Sequence, residues 1–359
     1  MSGPQPPHPA ALRGLSSDTR AGEWLRAVGT LPESTSAGGA RRSRVRARRA
    51  AAGGDTALTQ ITLDVPRAFH WVECAHWSST ERASRCAALQ GVLASVFPRD
   101  VEGDSGAPHY AQGLHDVAGV LILAIGALRS RQVLRCLVRG PLLRGFARPT
   151  LDAPLAILRL LPALLRAVDS RKAAELDPLP ANAAFALPWI LTWFAHSVSR
   201  VTPAVRLYDL FIRAHPLLPL YAAAALVLSP RALVRLRDVR DRAPEDEGEF
   251  FAALAALPAA LLVTVKDADE LAGAATALAL AHPPARLLAD APQHDATILC
   301  TEWPELWEGL STHPHPPAGL ASEGKRGSRL QGTIVALLAA FVIAVGAVYV
   351  QTHMAGLPP

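Results

Sequence analysis

Cysteine is scarce in this sequence, and its few positions show no pairing pattern. The cysteines lie at positions 74, 86, 136 and 300, without a CxxC pair. A disulfide framework is therefore not expected in a chain of this length, and a reducing compartment is the default. His70, Cys74 and His76 carry the side chains of metal ligands, but no second ligand pair accompanies them. We favour a packed or surface cluster over zinc and predict no metal site.

Several catalytic motifs are also missing. There is no GxxxxGK[ST] pattern, so the chain is not expected to bind GTP itself in a P-loop. The GxSxG and HExxH patterns of hydrolases and metallopeptidases are absent as well. The sequence thus argues against a self-contained hydrolase and predicts no cofactor of its own.

Aromatic residues are sparse at 6%, while half of the residues are apolar. Ala and Leu recur throughout, Val or Ile runs are short and no strand alternation persists, which favours helices over a sheet. We therefore predict an all-α fold. Residues 185–194 are predicted to form one helix, with Phe185, Trp189 and Trp193 on a shared face. The large side chains expected to be buried are those of Trp24, Trp189, Trp193, Phe194 and Leu207.

Positive charge is only slightly in excess. The 36 Lys and Arg residues outnumber the 31 Asp and Glu residues, which gives a net charge of +5. This balance suits an anionic membrane surface or an acidic partner. Nucleic acid is the competing partner class, but no recognised motif supports it, and we predict no nucleic-acid binding.

The chain divides into segments of different composition. Residues 1–11 are rich in proline without an apolar core, so we predict a disordered N-terminus and no signal peptide. Residues 12–260 carry successive helical patterns, interrupted by an arginine-rich loop at 33–55. That loop is predicted to be solvated, with a nuclear signal or a lipid-binding patch as alternatives. Residues 261–329 are predicted to be weakly helical and then a linker.

A long uncharged segment lies close to the C-terminus. As a helix, residues 333–350 would cover about 27 Å, which is just adequate for a hydrocarbon core. Basic residues between 325 and 329 precede it, so the N-terminal part is expected to stay cytosolic. We predict a transmembrane tail anchor at 330–351 and a lumenal tail at 352–359, with a buried core helix as the alternative.

Three short motifs occur in order in the N-terminal half. The first contains Gly14, Arg20 and Trp24; the second, residues 61–67, fits IxxDxxR; the third, residues 110–113, fits YxQG. In this order, on a helical background, they resemble the signature segments of the TBC domain, which activates Rab GTPases. The resemblance implies an all-α fold of two helical subdomains.

Further similarity lies in the later part of the predicted domain. Residues 185–194 and segments between 205 and 219 resemble the C-terminal half of the TBC domain, although most members have Trp where Tyr208 stands. The chain resembles the tail-anchored branch of the family numbered twenty in animals in three features. They are Tyr208, the Thr-Trp-Phe run at 192–194 and the anchor. The resemblance covers roughly residues 10–260.

The resemblance implies roles for two residues. In the family, the Arg of IxxDxxR and the Gln of YxQG act on the GTPase, and in this chain they are Arg67 and Gln112. An arginine is permanently charged and can neutralise charge on phosphoryl oxygens. An amide can accept from the attacking water and donate to a phosphoryl oxygen at once. The expected partner is a Rab GTPase in its GTP form, which itself binds GTP and Mg²⁺.

Residues around Arg67 are expected to support it. Ile61, Asp64 and Arg67 follow at intervals of three and lie near one helical face. Pro66 is expected to end that helix, push Val65 toward an extended conformation and place Arg67 at the tip. We expect Asp64 to orient Arg67 or the neighbouring backbone and not to act as a base.

The Gln112 loop has its own expected supports. Gly113 would let a backbone approach the nucleotide closely, and Tyr110 would fix the loop by packing. Taken singly, an Asp–Arg pair is usually a surface ion pair, and a Gln-Gly pair is usually a turn. In the family order we favour the catalytic interpretation of both.

Two functions remain open. The first is a GTPase-activating protein for a Rab of the early secretory pathway. The resembled branch places it on the endoplasmic reticulum membrane, with the Golgi or nuclear envelope as alternatives. The second is a non-catalytic tail-anchored scaffold that binds Rabs or other membrane proteins. The presence of both Arg67 and Gln112 favours the first, since a scaffold has no chemical need for either.

Overall fold

The structure, a computed structural model, describes residues 16–29, 56–97, 107–177, 179, 183–244 and 246–304. This part of the chain contains α-helices and short 3-10 turns, and no β-strand. The all-α prediction is therefore confirmed for the described residues. The predicted N-terminal tail, arginine-rich loop and membrane segment lie outside them.

Short and medium-length helices follow one another along the described chain. The first group is α1 (Ser17–Val28), α2 (Thr56–Asp64), α3 (Ser79–Val96), α4 (Leu114–Ile125), α5 (Ala127–Arg139), α6 (Asp152–Arg159), α7 (Leu161–Val168) and α8 (Ser170–Ala174). The second group is α9 (Leu187–Leu191), α10 (Val201–Phe211), α11 (Leu218–Val227), α12 (Pro230–Arg242), α13 (Glu247–Ala255), α14 (Leu257–Leu261), α15 (Val265–Ala281), α16 (Pro284–Ala289) and α17 (Gln293–Glu302). The 3-10 turns are Val65–Arg67, Val72–Cys74, Arg144–Phe146 and Ala184–Ala186.

Helix α11 lies at the centre of the core. Its sequence, LPLYAAAALV, is apolar on all sides and nearly every residue is buried, as expected of a helix surrounded by others. It packs against α7 and α15. The Tyr221 hydroxyl donates to the carbonyl of His282 at 2.6 Å and ties α11 to the end of α15. The described helices group as one compact unit, and the division of the domain into two helical subdomains stays a prediction.

The helical unit extends further than the sequence predicted. We expected weak helices and a linker over residues 261–329, but α15, α16 and α17 occupy much of residues 265–302. Pro284 takes the first helical position of α16, and Pro292 is the N-cap of α17. At such positions proline begins a helix instead of breaking it. In the sequence alone the prolines suggested a linker, because nothing local shows that they stand at helix starts.

Helix α17 is also tied to the core by specific contacts. The Arg159 Nε on α6 bonds both carboxylate oxygens of the buried Asp295, at 2.8 and 2.9 Å. Trp303, directly after α17, is fully buried and meets the ring of Phe146 edge-on at 5.7 Å. These contacts show that residues up to 303 belong to the packed unit.

The predicted helix over residues 185–194 is wrong in its second half. A 3-10 turn leads into α9, which ends before Trp193 and Phe194, and these two residues have positive φ of 50° and 69°. A left-handed backbone is costly for bulky side chains and persists only where packing fixes it. Phe194 stacks on Trp189 at 5.8 Å, whereas Trp193 meets Tyr208 edge-on at 5.3 Å. The shared face does not form, although all the residues predicted to be buried are buried.

Helix α1 is fixed to α10 by a buried carboxylate. Arg20 Nε and Nη2 bond the two oxygens of Asp209 at 2.9 and 3.2 Å. Trp24 Nε1 donates to the same carboxylate at 3.0 Å, and both Trp24 and Asp209 are fully buried. Hydrogen bonds compensate the buried charge, as burial of a carboxylate requires. The Arg and Trp of the first motif therefore hold two distant parts of the chain together.

Among the described residues, no single helix is long and apolar enough to cross a membrane. The pair α11 and α12, bent by 54°, meets the requirement by length and composition only. The predicted anchor at 330–351 falls outside the described residues.

Candidate functional site

The arginine of the second motif projects from the end of α2. Ile61 is fully buried and fixes this helix in the core. The helix ends just before Pro66, as predicted, because proline cannot donate a backbone hydrogen bond. Val65 begins a 3-10 turn and is not extended, which corrects the prediction for that residue. Arg67 is the last residue of the turn, and its side chain is 55% exposed.

The buried carboxylate of Asp64 joins the second and third motifs. Its Oδ1 accepts hydrogen bonds from Gln60 Nε2 at 3.1 Å and from Arg67 Nη2. Its Oδ2 accepts from the Tyr110 hydroxyl, 46 positions along the chain, at 2.9 Å. Asp64 is completely buried, and these donors replace the water that its charge has lost. One buried group thus holds the two motifs together.

The ring of Tyr110 is packed as well as hydrogen-bonded. It is buried and meets Phe97 edge-on at 5.4 Å. Burial, and then the charge of Asp64 and the bond to it, raise the pKa of Tyr110 far above its ordinary value. The hydroxyl therefore remains a proton donor to Asp64 at any physiological pH.

Gln112 lies in the loop that leads into α4. Its side chain is exposed and makes no hydrogen bond to the part of the chain that the structure describes. Gly113 follows with φ of 102°, a left-handed conformation that glycine adopts without strain. A Cβ at Gly113 would lie 3.0 Å from Thr192 Cγ2, so the backbone is close to the segment after α9. Within this chain Gly113 lies close to Thr192, and its close approach to a nucleotide stays a prediction.

A second buried carboxylate, Asp116 in the first turn of α4, was not predicted as a site residue. Its Oδ2 lies 2.8 Å from His196 Nδ1, a hydrogen bond. Its Oδ1 lies 3.5 Å from His115 Nε2 and 3.8 Å from His70 Nδ1. The Gly113 N–H donates to His115 Nδ1 at 3.3 Å, so that Nε2 is the nitrogen facing Asp116. Histidines from three segments thus converge on one fully buried carboxylate.

The charges of this cluster follow from burial and these contacts. Burial acts to raise the pKa of Asp116, but the histidines, His115 foremost, outweigh it and hold that pKa below its ordinary value. Burial acts to lower the pKa of His196, but the bond to Asp116 prevails and raises it. Burial lowers the pKa of His70 despite the opposing charge of Asp116. Asp116 is therefore an anion, and His196 is the histidine that its charge favours in the protonated form.

The segment after Arg67 folds back onto the chain that follows α9. Phe69 has φ of 58°, uncommon for a bulky residue, and it is fully buried. Trp71 Nε1 donates to the Ala195 carbonyl at 3.0 Å and fixes the two segments side by side. Arg67 comes close enough to His196 for its charge to oppose protonation of the imidazole.

A neighbouring arginine and cysteine are structural. Arg82 Nη1 and Nη2 donate to the carbonyls of Ala68 and Cys74 at 3.4 and 3.2 Å. Cys74 is buried, and burial raises the pKa of its thiol to about 11, so it remains protonated. His76 is exposed, and no group of side chains suited to a metal ion occurs among the described residues.

Sequence reasoning named the residues around Arg67 and Gln112 but missed the Asp116 cluster. The structure brings Ile61, Asp64, Arg67, Tyr110 and Gly113 together with Gln112 as one region of the fold. His115 and Asp116 directly follow the YxQG motif, and that adjacency is a signal that could have indicated them. No comparable signal exists for His196, which lies 80 positions beyond Asp116 in an irregular segment.

The arrangement presents its functional groups outward. A guanidinium, held at one end by Asp64, and the amide of Gln112 both extend into solvent. A cation of fixed direction can neutralise an anionic oxygen, and an amide can orient a water molecule. The geometry therefore suits chemistry on the surface of a bound partner.

Comparison with protein families gives this geometry a context. The family model RabGAP-TBC, described as the Rab-GTPase-TBC domain, matches residues 33–233, more than half of the chain. This range includes Arg67, Gln112 and His196, whereas Arg20 and Trp24 precede it.

Individual relatives match shorter stretches. The chain is 33% identical over 175 residues to GTPase-activating protein gyp10 of Schizosaccharomyces pombe, covering 49% of this chain and 44% of that protein. It is 36% identical over 120 residues to TBC1 domain family member 20 of Homo sapiens, covering 33% of this chain and 30% of that protein. The chain thus spans less than half of the length of these relatives. The crystal structure of the Chlamydomonas flagellar RabGAP TBC domain superposes with a TM-score of 0.49 and 17% identity, over 74% of this chain and 82% of that chain.

Proposed function

Since the chain belongs to the Rab-GTPase-TBC domain family, we propose that it is a GTPase-activating protein for a Rab GTPase. Arg67 and Gln112 are the two side chains, or fingers, that it supplies in trans. The partner, in its GTP form, holds the GTP and Mg²⁺, and this chain completes the partner's active site.

One observation carries the proposal: the buried carboxylate of Asp64 bonds both the Arg67 guanidinium and the Tyr110 hydroxyl. Tyr110 begins the loop that carries Gln112. The buried Asp64 carboxylate therefore holds both the Arg67 side chain and the start of the Gln112 loop in place. Within the described part of the chain, only Nη2 of Arg67 is hydrogen-bonded, which leaves the rest of the guanidinium fork for a partner. Fingers fixed before the partner binds need no reorganisation during the reaction.

The chemistry of GTP hydrolysis explains why such a pair suffices. Negative charge is spread over the transferred phosphoryl oxygens, and the attacking water must be held in line. The Arg67 guanidinium neutralises that charge through two parallel hydrogen bonds. The Gln112 amide accepts from the water and donates to a phosphoryl oxygen. No covalent step is required of this chain.

The partner and the location rest on resemblance. The relative gyp10 is named as a GTPase-activating protein, and the family name specifies Rab GTPases. From the sequence resemblance to the tail-anchored branch of the family, we propose a Rab of the early secretory pathway and a location on the endoplasmic reticulum membrane. The Golgi and the nuclear envelope are the alternative membranes.

The uncharged segment 333–350 is proposed to keep the helical unit beside its membrane-bound partner. Truncation before Leu330 should release the protein into the soluble fraction and leave its activity toward a soluble Rab nearly intact. The reason is that the composition of residues 313–329, with its Pro, Gly and His, is typical of a linker. Sedimentation of the truncated protein with membranes after a carbonate wash would contradict this assignment.

Single-turnover GTP hydrolysis across a panel of GTP-loaded Rabs tests the activity. The rate should rise strongly for one or a few Rabs, and Arg67→Ala should reduce that stimulation by about 10³-fold, the low end of what an arginine finger supplies. Arg67→Lys should lose nearly as much stimulation, because an ammonium group cannot form the two parallel hydrogen bonds of a guanidinium. Arg131→Ala, at an exposed arginine on α5, is the matched control. A folded Arg67→Ala protein that stimulates hydrolysis at the wild-type rate would favour a non-catalytic scaffold.

A further inference from the structure

His196 belongs to the Asp116 cluster, and the proposed function assigns it no role. The side chain of His196 is 43% exposed, and its Nδ1 is bonded at 2.8 Å to the fully buried carboxylate of Asp116. The two nitrogens of an imidazole point in divergent directions, and the bond at one fixes the orientation of the other. Because Nδ1 is held inward, Nε2 faces solvent.

His196 is linked to the Gln112 loop through Thr192, and the charge of Arg67 acts on it. The charge of the Arg67 guanidinium opposes protonation of the imidazole of His196. Its backbone N–H donates to Thr192 Oγ1 at 3.0 Å, and Cγ2 of the same threonine lies against Gly113. The residue that supports the backbone of His196 therefore also supports the Gln112 loop.

We propose that His196 is a third partner-contacting residue, which donates a hydrogen bond from a protonated Nε2 to an anionic oxygen of the GTPase complex. Asp116 is the positioning residue that fixes the imidazole and balances its charge. The oxygen belongs either to the phosphate of the nucleotide or to a carboxylate on the GTPase. This inference rests on the proposed function, since it requires the same bound partner.

The charged surroundings of His196 support this role. Asp116 faces it from α4, and Arg67 and His70 face it from the segment after α2, with the His70 ring 5.7 Å away between centroids. Burial and Arg67 oppose protonation of His196, while the bond to Asp116 outweighs them and raises its pKa. His115 lies beyond Asp116, and burial keeps the pKa of His70 low. His196 is therefore the member of the cluster that combines exposure, a raised pKa and a fixed direction.

The first test needs no partner. In the full-length protein in detergent, ring ¹⁵N shifts should show that His196 titrates above the ordinary histidine value of about 6.5. In Asp116→Asn the titration should move to lower pH, because the bond to an anion is lost. The exposed His294 on α17 gives an internal reference. Titration of His196 at or below the ordinary value would overturn the inference.

The second test uses the Rab that is stimulated most in the panel. His196→Asn keeps a donor near the Nδ1 position, facing Asp116, but has no group in place of the outward-facing Nε2. We expect about a tenfold loss of rate at neutral pH, the value of one hydrogen bond to a charged group. Between about pH 6 and pH 9 the wild-type rate should fall relative to that of the variant as His196 loses its proton. A lower kcat identifies the phosphate as the acceptor, and a higher KM with kcat kept identifies a carboxylate of the GTPase.

His294→Asn serves as the control, and the variants separate the two possible failures. If the wild type stimulates no Rab, the proposed function fails and the inference fails with it. If the wild type stimulates a Rab but His196→Asn matches His294→Asn in rate and pH profile, only the inference is overturned. A second variant, His196→Gln, checks that a loss is not due to misfolding. It places an uncharged donor near Nε2 and should recover part of the rate without the pH dependence.

Discussion

Two of the buried aspartates that bind an arginine, Asp209 and Asp64, leave their arginines in different environments. Arg20 bonds both oxygens of Asp209 through two nitrogens, and its side chain is 14% exposed. Arg67 bonds Asp64 through one nitrogen in the described part of the chain, and its side chain is 55% exposed. Both carboxylates are completely buried.

The difference shows how one kind of ion pair serves two purposes. At Asp209 the indole of Trp24 joins the arginine, so the guanidinium is used to bind α1 to α10. At Asp64 the hydroxyl of Tyr110 occupies the second oxygen, and the guanidinium extends into solvent. A buried pair is costly to break in either case, but only an exposed cation can act on a partner. Exposure, and not pairing, separates the structural arginine, Arg20, from the one proposed to act on a partner, Arg67.

The largest expected effect lies at the exposed pair. Arg67→Ala and Gln112→Ala should each reduce single-turnover GTP hydrolysis severely, by about 10³-fold for the arginine. If both fingers act on one transition state, the double variant should lose much less than the product of the two single losses. Fully multiplicative losses in the same assay would show that the fingers act independently.

The next effect lies at the structural pair. Asp209→Asn removes the charge that Arg20 and Trp24 share and should lower the free energy of unfolding by about 3–5 kcal/mol. Urea denaturation measures this loss, and the rate per folded molecule should remain near the wild-type rate. If Asp209→Asn kept the wild-type stability, Asp209 could not be distinguished from Asp64 as the structural aspartate.

A smaller effect tests the loop between the two clusters. Gly113→Ala places a side chain on a backbone with φ of 102° and against Thr192 at 3.0 Å. The strain should cost about 1–3 kcal/mol of stability and displace Gln112, so that the rate falls as well. Gly91→Ala is the matched control, because Gly91 lies within α3 and nothing lies within 4 Å of its added Cβ. That control should keep or increase stability. An unaltered Gly113→Ala protein would show that this backbone is not constrained.

The smallest effect is a decline of stability above neutral pH, which we expect from His196 in the region of Arg67. The pKa of His196 is raised, so its contribution to stability is complete below about 6.5 and is lost as the pH rises through the raised value. The pKa of Asp116 is lowered, so its contribution is present above the ordinary carboxyl range and is lost only as the pH falls through the lowered value. Urea midpoints should therefore decline as the pH rises above about 6.5, whereas below that pH the lowered pKa values of His70 and His215 act in the opposite direction. The decline should be absent in His196→Asn, and its persistence there would assign it to another group.

Much of this contrast could be predicted from the sequence. Arg67, Asp64 and Tyr110 stand in short motifs, and the spacing of three between Asp64 and Arg67 places them on one side of a helix end. The partner of Arg20 could not be predicted, because Asp209 lies 189 positions away and only the folded chain brings them together.

The Asp116 cluster could not be predicted for the same reason. Its histidines lie at positions 70, 115 and 196, and no local spacing relates them. Their approach depends on the left-handed backbone at Phe69, Trp193 and Phe194, which helical periodicity does not indicate. Similarly, Pro284 and Pro292 suggested a linker because their role as helix starts depends on packing that is remote in sequence.

The most direct measurement compares Arg67→Ala with Arg20→Ala in the same preparations, by rate of stimulated GTP hydrolysis and by urea denaturation. Arg67→Ala should lose about 10³-fold in rate. It should lose only about 1–2 kcal/mol of stability, because Gln60 and Tyr110 still donate to Asp64. Arg20→Ala should lose about 3 kcal/mol or more of stability and keep the rate per folded molecule. Equal losses of rate per folded molecule, or a folded Arg67→Ala protein with the wild-type rate, would contradict the assignment of Arg67 as the finger.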